Sequence, residues 1–215
     1  MSPRPSKWAL LAALFAVLVV ADQATKFLAV ERLTTAFQRA GETGLGKVVG
    51  FYAHEHLEHL ATEPVVVWQP MWRFTYVENP GAAWGLFRGF SPGFRNVFFL
   101  LVSLGAVGFI LHYYRKLEDS ERFLQVALAF VLSGAVGNFV DRLARRYVID
   151  FVDWYWWNRA DVTTCHLPFV DYPIGCHWPT FNVADSLIVV GVAMLILHPG
   201  PLKARAAQRK EAGVV

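Results

Sequence analysis

Two aspartates, Asp150 and Asp185, are the residues of this sequence best suited to carry chemistry. Asp150 lies in the apolar stretch YVIDF, and Asp185 lies about one turn into an apolar segment with no cationic residue within a helical turn. Burial disfavours the charged form of a carboxyl, and a second carboxylate at contact distance adds to that effect. Two facing carboxylates can share a proton, so that one activates a water and the other protonates a carbonyl oxygen. The pattern favours aspartic-protease chemistry, although spacing alone does not establish that the two side chains meet.

Further polar residues cluster near the ends of long apolar segments. Asp22 and Lys26 are four residues apart and share a helical face, which favours a structural ion pair. Arg142 is predicted to neutralise a neighbouring carboxylate or to satisfy helix-end carbonyls, so that Asp141 beside it stays ionised and has a supporting role. Charges inside a bilayer are costly, and their convergence indicates a functional site. The other two clusters, at spacings of three and four, are Gly134, Asn138, Asp141 and Arg142, and Asn182 with Asp185.

Membrane helices are the elements that must position these residues. Of the 215 residues, 55% are hydrophobic and only 17% are charged, which is more apolar than a soluble domain. A bilayer core requires about 20 residues of helix. The predicted fold is an α-helical integral membrane protein, a single domain over 1–215 with four transmembrane helices at about 8–30, 96–114, 123–143 and 181–198.

The basic residues that flank these helices predict their orientation. They lie before the first helix, between the second and third, and after the fourth, which are the regions that must share one side of the membrane. Both termini, including the tail 199–215, are therefore predicted to be cytoplasmic, and the loops at about 31–95 and 144–180 to face outward. A scattered net charge of +3 gives no indication of nucleic-acid binding. The flanking residues are Arg4, Lys7, Arg115, Lys116, Arg122, Lys203, Arg205, Arg209 and Lys210.

The two outer loops carry patterns of their own. Residues 65–77 are β-branched and aromatic and alternate in polarity, which predicts a strand with an edge or break at Pro70. A turn follows at 79–81, so a small sheet on the outer membrane surface is expected. The aromatic run at 154–157 is typical of an anchor at the membrane interface.

Five short motifs together resemble those of the bacterial lipoprotein signal peptidases, the type II signal peptidases. They follow the order of the family and lie at the matching helix ends, so the combination is specific although each motif alone is weak. The motifs are DQATK (22–26), NPGAAWG (79–85), GAVGNFVDR (134–142), VIDF (148–151) and FNVADS (181–186). Segments at about 36–66 and 154–178 are longer than a minimal member of the family needs, and the role of these insertions stays open.

The resemblance implies four transmembrane helices, an outer β-sheet and a catalytic pair formed by Asp150 and Asp185. It implies a diacylglyceryl prolipoprotein substrate that enters from the membrane lipid and is cleaved just before the lipidated cysteine, without a cofactor or metal. A monomer in the bacterial inner membrane, with its active site near the outer face, is expected. The supporting or substrate-binding residues that it implies are Asp22, Lys26, Asn79, Gly81, Gly134, Asn138, Asp141, Arg142 and Asn182.

A proton- or ion-coupled transporter is the main alternative, because transporters also use intramembrane carboxylates. Against it, the polar residues crowd one leaflet, leave no path across the inner half and form no inverted repeat in the sequence. A non-catalytic membrane adaptor that displays the enlarged loops is a third possibility, and the presence of both Asp150 and Asp185 argues against it.

Two short segments outside the apolar helices could bind a metal. The histidines of HEHLEH (54–59) are compactly spaced, but a solvated amphipathic segment is the favoured interpretation. Cys165 and Cys176, each followed by a histidine, could form a zinc site. A disulfide between these two cysteines is favoured instead, because they lie in a loop predicted to face an oxidising compartment.

Overall fold

The computed structural model describes residues 6–69, 71–81, 89–155 and 178–198, together with the backbone of 164–167 and 170–175. Helices predominate among them, accompanied by short strands. The helices are α1 (Lys7–Leu33), α2 (Ala36–Ala40), α3 (Leu45–Ala53), α4 (Pro92–Lys116), α5 (Arg122–Arg145) and α6 (Val183–Leu197). The strands are β1 (Val65–Trp68), β2 (Trp72–Asn79), β3 (Val148–Trp154), β4 (Thr164–Leu167) and β5 (Val170–Gly175).

Three helices, α1, α4 and α5, are long and apolar enough to cross a membrane. They correspond to the first three predicted spans. Helices α1 and α4 begin at the N-cap residues Ser6 and Ser91. Each serine side chain accepts a hydrogen bond from the backbone N–H three residues further along the chain. Helix α6 is apolar but has only 15 residues, because Asn182 is its N-cap and lies outside it. Its crossing of the membrane stays a prediction.

The larger sheet has three antiparallel strands in the order β1, β2, β3. The segment predicted as one strand is a hairpin, since β1 and β2 pair with each other around the break expected near position 70. The sequence pattern does not predict β3, because five of its seven residues are buried and both of its faces are covered, which leaves no alternation to detect. In the register of β2 with β3, Val77 lies opposite Asp150 and Asn79 lies opposite Val148.

Helix α5 lies at the centre of the bundle and packs against α1, α4 and α6. A Cβ atom at Gly134 would overlap with the Ala184 carbonyl oxygen of α6, and one at Gly137 would overlap with the Asp22 carboxylate of α1. Glycine at these two positions therefore lets the three helices approach closely enough for their polar side chains to meet.

The chain between α5 and α6 carries β3 onto the N-terminal end of α6. Helix α5 ends at Arg145, and Arg146 adopts a left-handed backbone with φ 69°, which turns the chain into β3. The backbone of Phe181 then pairs with Phe151 and Val152 of β3 immediately before α6 begins. This pairing brings Asp150 beside the first turn of α6.

The first part of the first outer loop folds back onto α1. Two backbone hydrogen bonds of 2.9 Å join the two ends of this segment beside the end of α1. The Thr35 N–H donates to the Leu60 carbonyl oxygen, and the Thr62 N–H donates to the Leu33 carbonyl oxygen. Between these points, α2 and α3 bury Phe37 and Phe51 against Phe27 of α1.

The second outer loop contains the β4–β5 hairpin. At its start, Trp154 is exposed whereas Tyr155 is buried beneath Arg73, whose guanidinium lies 4.9 Å from the ring centroid. Tyr155 therefore belongs to the packing of the sheet and not to an exposed aromatic anchor. The rest of that anchor, Cys176 and the tail 199–215 lie outside the described residues, so the Cys165–Cys176 disulfide stays a prediction.

Candidate active site

Asp150 and Asp185 reach the same place from different elements. Asp150 lies in β3 and is 1% exposed, and Asp185 lies in the first turn of α6. Asn182 contacts both of them. Its side-chain amide donates to Asp150 Oδ1 at 2.7 Å, and its backbone N–H donates to Asp185 Oδ2 at 3.2 Å. One buried residue therefore joins the two aspartates that the sequence singles out.

The start of α6 orients Asp185. The Asn182 side chain accepts a hydrogen bond from the Asp185 N–H at 3.0 Å while the Asp185 side chain accepts one from the Asn182 N–H, which is a reciprocal capping box. This arrangement occupies Oδ2 of Asp185 and leaves Oδ1 to accept a hydrogen bond from Asn138 Nδ2 at 2.8 Å.

Asp150 and Asp185 are here called the dyad, and Asn138 of α5 connects them to a second polar group. Its Oδ1 accepts hydrogen bonds from Lys26 Nζ at 3.1 Å and from Asn182 Nδ2 at 3.2 Å. Lys26 and Asn182 can only donate here, so the Asn138 side-chain atom that faces them must be the oxygen. The NH₂ group of Asn138 therefore faces Asp185.

That second group is a cluster of four buried charges, here called the ion cluster: Asp22, Lys26, Asp141 and Arg145. Lys26 Nζ lies 2.9 Å from Oδ2 of both Asp22 and Asp141, and Arg145 Nη1 lies 3.0 Å from Asp141 Oδ1. All four side chains are fully buried. The predicted Asp22–Lys26 pair is thus present, within a cluster that contains two charges of each sign.

The expectation that Arg142 provides the guanidinium for Asp141 is wrong, and Arg145 provides it. Residues four apart share a helical face, whereas adjacent residues do not. Arg142 lies over the Phe99 ring, with its guanidinium carbon 5.1 Å from the centroid, and donates to the Asn138 carbonyl oxygen at 3.4 Å. That carbonyl lies within α5, seven residues before the helix ends, so the other expected role, binding of helix-end carbonyls by Arg142, stays a prediction.

The turn after β2 places the side-chain amide of Asn79 within hydrogen-bond distance of Asp150. Asn79 Nδ2 donates to Asp150 Oδ2 at 2.9 Å, and Asn79 Oδ1 accepts from the Gly81 N–H at 2.9 Å. Gly81 has φ 94°, and a Cβ there would overlap with the Phe99 ring, so glycine is required on both grounds. The motif continues at 82–88, which lies outside the described residues.

Burial is the main reason that the pKa of Asp150 is raised to about 8, and the negative charge of Asp185 is the second. The hydrogen bonds from Asn79 and Asn182 and the charge of Lys26 oppose the rise. Asp150 is therefore suited to hold a proton at neutral pH beside the second carboxyl.

The sequence patterns do not predict two residues that take part in this polar network, Gln23 and Arg145. Gln23 donates to Asp22 and Asp141 at 3.1 and 3.2 Å, and Arg145 completes the ion cluster. The spacing of four between Asp141 and Arg145 could have indicated the second. Asp22 has a further role, since its Oδ1 accepts from the Ala184 N–H at 2.9 Å and so ties α1 to α6.

Two of the three histidines of HEHLEH face separate acidic partners. His54 Nε2 lies 3.0 Å from Glu42 Oε2, and His56 Nδ1 lies 3.5 Å from Glu78 Oε2. Within the described part of the chain, no three His, Cys, Asp or Glu side chains are arranged to hold a metal ion. The pairing with glutamates explains this segment as part of the folded outer loop.

Known proteins match this chain in sequence over most of its length. The family model for signal peptidase (SPase) II matches residues 14–199. A lipoprotein signal peptidase from Anaeromyxobacter sp. (strain Fw109-5) is 66% identical over 200 residues, which cover 93% of this chain and 88% of the relative. Another, from Geobacter metallireducens, is 37% identical over 182 residues and covers 85% of each chain.

Two solved structures of a bacterial membrane enzyme, at 2.3 and 1.9 Å resolution, share the fold. Their TM-scores are 0.56 and 0.58, with sequence identities of 23% and 22%. The matches cover 88% and 89% of this chain, and 86% and 95% of the respective structures. At this level of identity the likeness establishes the fold alone.

Proposed function

Because this chain belongs to the signal peptidase II family, we propose that it removes signal peptides from lipoprotein precursors by aspartic-protease chemistry at Asp150 and Asp185. The observation that carries the proposal is that Asn182 donates hydrogen bonds to both carboxylates. In the part of the chain that the structure describes, neither carboxylate has a cation within ion-pair distance. A carboxyl buried as Asp150 is, beside a second carboxylate and without a paired cation, favours keeping one proton between the two.

In the proposed mechanism, Asp150 carries the shared proton and Asp185 is ionised. Asp185 takes a proton from a water whose oxygen attacks the scissile carbonyl carbon, and Asp150 donates its proton to the carbonyl oxygen. The result is a tetrahedral diol. As the C–N bond breaks, Asp185 gives its proton to the leaving nitrogen and Asp150 recovers one from a diol hydroxyl. Both carboxyls thus return to their starting states.

Three asparagines hold the dyad in position for this cycle. Asn79 and Asn182 bind opposite oxygens of Asp150, at 2.9 and 2.7 Å, and Asn138 binds Asp185 at 2.8 Å. Amide donors orient a carboxylate without supplying the positive charge that would trap it in the ionised form. Proton transfer therefore stays available to both aspartates.

The position of the dyad along the helices supports a site near the outer face of the bacterial inner membrane. The dyad lies at the end of α5 opposite the short α4–α5 connection, which is flanked by Arg115, Lys116 and Arg122. Basic short loops are typical of the cytoplasmic side. The helix α6 of 15 residues rises about 22 Å. In a fourth crossing of a hydrocarbon core of about 30 Å, that length would leave its capped start below the outer surface.

A dyad at that depth suits a lipid-modified substrate. A diacylglyceryl group on the cysteine after the scissile bond would keep its acyl chains in the bilayer while the peptide bond reaches Asp150 and Asp185. We propose lateral entry of this substrate from the membrane and action of the protein as a monomer. No metal takes part in the proposed cycle.

The test is cleavage of a diacylglyceryl prolipoprotein by the purified protein in detergent, with product masses measured by mass spectrometry. Wild type should cut immediately before the lipidated cysteine, and Asp185→Asn should give no product over the same time. Near-normal turnover of that variant would remove Asp185 from the mechanism. Inactivation by EDTA that zinc reverses would indicate a metallopeptidase instead.

The proposed orientation is tested with single cysteines in a Cys165→Ser/Cys176→Ser background. Ser120 lies in the α4–α5 connection, and Glu63 lies in the first outer loop; both are exposed. In intact cells, a membrane-impermeant thiol reagent should label Glu63→Cys and leave Ser120→Cys unlabelled until the membrane is opened. Labelling of Ser120→Cys from outside would reverse the topology.

A further inference from the structure

Helix α3 presents an apolar face that is open in this chain. Leu45, Val48, Val49 and Tyr52 recur at the spacing of one helical face, and they are 84%, 46%, 69% and 40% exposed. These four residues are here called the apolar face of α3. The opposite side is buried through Phe51, whose ring contacts Phe27 of α1.

The chemistry of this face matches lipid better than water. The exposed residues of α3 are all apolar or small: Leu45, Gly46, Val48, Val49, Tyr52 and Ala53. The one charged residue of the helix, Lys47, pairs with Glu31 of α1 at 2.8 Å. A helix that borders water normally carries several charged or amide side chains on its exposed face, whereas α3 has only Lys47, which is partly exposed and is paired with α1.

Two contacts determine the depth of α3 along α1. Lys47 pairs with Glu31 near the end of α1, whereas the Tyr52 hydroxyl donates to Gln23 Oε1 at 3.2 Å. Glu31 and Gln23 are eight residues apart, which is roughly 12 Å along a helix axis. Helix α3 therefore runs antiparallel to α1, beside the last third of a helix that can span a membrane.

The apolar face of α3 also continues the lipid-facing surface of α1. Val20 and Val17 precede Gln23 at successive spacings of three, which keeps them on nearly the same helical face. Both are 66% exposed and lie within the candidate span, where the surrounding medium is hydrocarbon. Since Tyr52 contacts Gln23, Tyr52 lies about one helical turn from Val20, toward the C-terminal end of α1.

We propose that α3 is a re-entrant helix that inserts into the leaflet at the dyad end of the bundle, where phospholipid acyl chains cover its apolar face. The inserted helix is fastened to the ion cluster beside the dyad. Arg145 Nε donates to the Phe51 carbonyl oxygen at 2.8 Å, and its guanidinium lies 3.9 Å from the Phe51 ring centroid. This inference depends on the membrane-spanning fold and not on the aspartic mechanism.

Spin labels on single cysteines test the insertion. The full chain, with Cys165→Ser and Cys176→Ser, is labelled at Val49→Cys and placed in nanodiscs of phosphatidylethanolamine and phosphatidylglycerol. Val20→Cys is the lipid-facing control, and Glu63→Cys, in the same outer loop, is the water-facing control. The label at Val49 should match Val20, with oxygen accessibility several-fold higher than accessibility to a water-soluble nickel chelate.

Two results would overturn the proposal. Nickel accessibility at Val49 equal to that at Glu63 would place the apolar face in water. Low accessibility to both relaxants in nanodiscs that contain one copy would mean that protein, and not lipid, covers it.

A second measurement uses the chain without any substitution. Phospholipids with a diazirine at the end of one acyl chain are photolysed in vesicles of the same composition that contain the wild-type protein. Mass spectrometry should find adducts on the peptide containing residues 45–53, at a yield similar to that of the peptide containing 17–20. Adducts on 17–20 without any on 45–53 would reject insertion of α3, whatever the outcome of cleavage assays.

Discussion

The carboxylates of the ion cluster and those of the dyad lie within one hydrogen-bond network, and their partners differ in kind. Asp22 and Asp141 each pair with a cation at 2.9 to 3.0 Å, and the cluster as a whole balances its charges. Asp150 and Asp185 are held by amides of asparagines and backbone, at 2.7 to 3.2 Å. Asp150 is as deeply buried as Asp22 and Asp141, whereas Asp185 is partly buried; the kind of donor is what distinguishes the two groups.

A cation neutralises the carboxylate that it pairs with, and removal of one member leaves an uncompensated buried charge, which is strongly destabilising. A carboxylate held by amides is oriented but not neutralised, which favours proton retention where the carboxyl is buried, as Asp150 is. The first arrangement suits a structural frame, and the second suits the proton transfer proposed above. Asn138 lies between them, since it accepts from Lys26 and donates to Asp185.

The largest effect is expected from removing the shared proton. Asp150→Asn should lower kcat by about 10³-fold, since an amide cannot pass the proton between water and carbonyl. Asp153→Asn is the matched control, because Asp153 lies in the same strand, is 2% exposed and pairs with Arg73 at 2.6 Å. The control should keep most of its kcat. Equal losses in both variants would mean that the measurement reports damage to β3 and not proton transfer.

The ion cluster should respond in stability. Lys26→Met leaves two carboxylates without their shared cation and should lower the free energy of unfolding by about 3 to 5 kcal/mol. The double variant Lys26→Met/Asp22→Asn removes one charge of each sign and should recover part of that loss. Thermal unfolding in detergent measures both. If the double variant is no more stable than the single one, charge balance is not what the cluster provides.

The link between the two groups should have a smaller effect. Asn138→Ala removes the hydrogen bond to Asp185. Loss of one such hydrogen bond, about 1.4 kcal/mol, should lower kcat about tenfold. KM should be nearly unchanged. Ser133→Ala is the control on the same helix, since its buried hydroxyl bonds only to the Ala129 carbonyl oxygen among the described contacts. A comparable fall in kcat for Ser133→Ala would assign the effect to packing of α5.

The smallest effect is a shift along the pH axis. The pKa of Asp150 is raised to about 8, so the singly protonated dyad persists up to that region, and kcat should fall as pH rises through it. The folded form binds this proton more tightly than the unfolded form, so the free energy of unfolding should also decline from the ordinary aspartate range up to about pH 8.

Asn79→Ala removes a hydrogen bond that favours the charged form of Asp150, which should move the alkaline limb of the kcat profile to higher pH. A limb that moves to lower pH would contradict the assignment.

Local periodicity in the sequence was enough to predict much of the helical frame. The three long spans, the shared face of Asp22 and Lys26 and the turn at Asn79 to Gly81 depend on residues within a few positions of one another. The signal peptidase motifs then identified the family, which the sequence comparisons establish over residues 14–199.

Only the tertiary structure decided how these local features combine. Strand β3 is buried on both faces and has no alternation to detect, yet it carries Asp150 to the start of α6 through the backbone of Phe181. The spacing of four allows Arg145 to pair with Asp141, but only the folded structure shows that this pair is buried and that Arg145 also donates to the Phe51 carbonyl oxygen of α3. Long-range pairing and burial depend on residues far apart in the chain, so spacing within a single segment does not determine them.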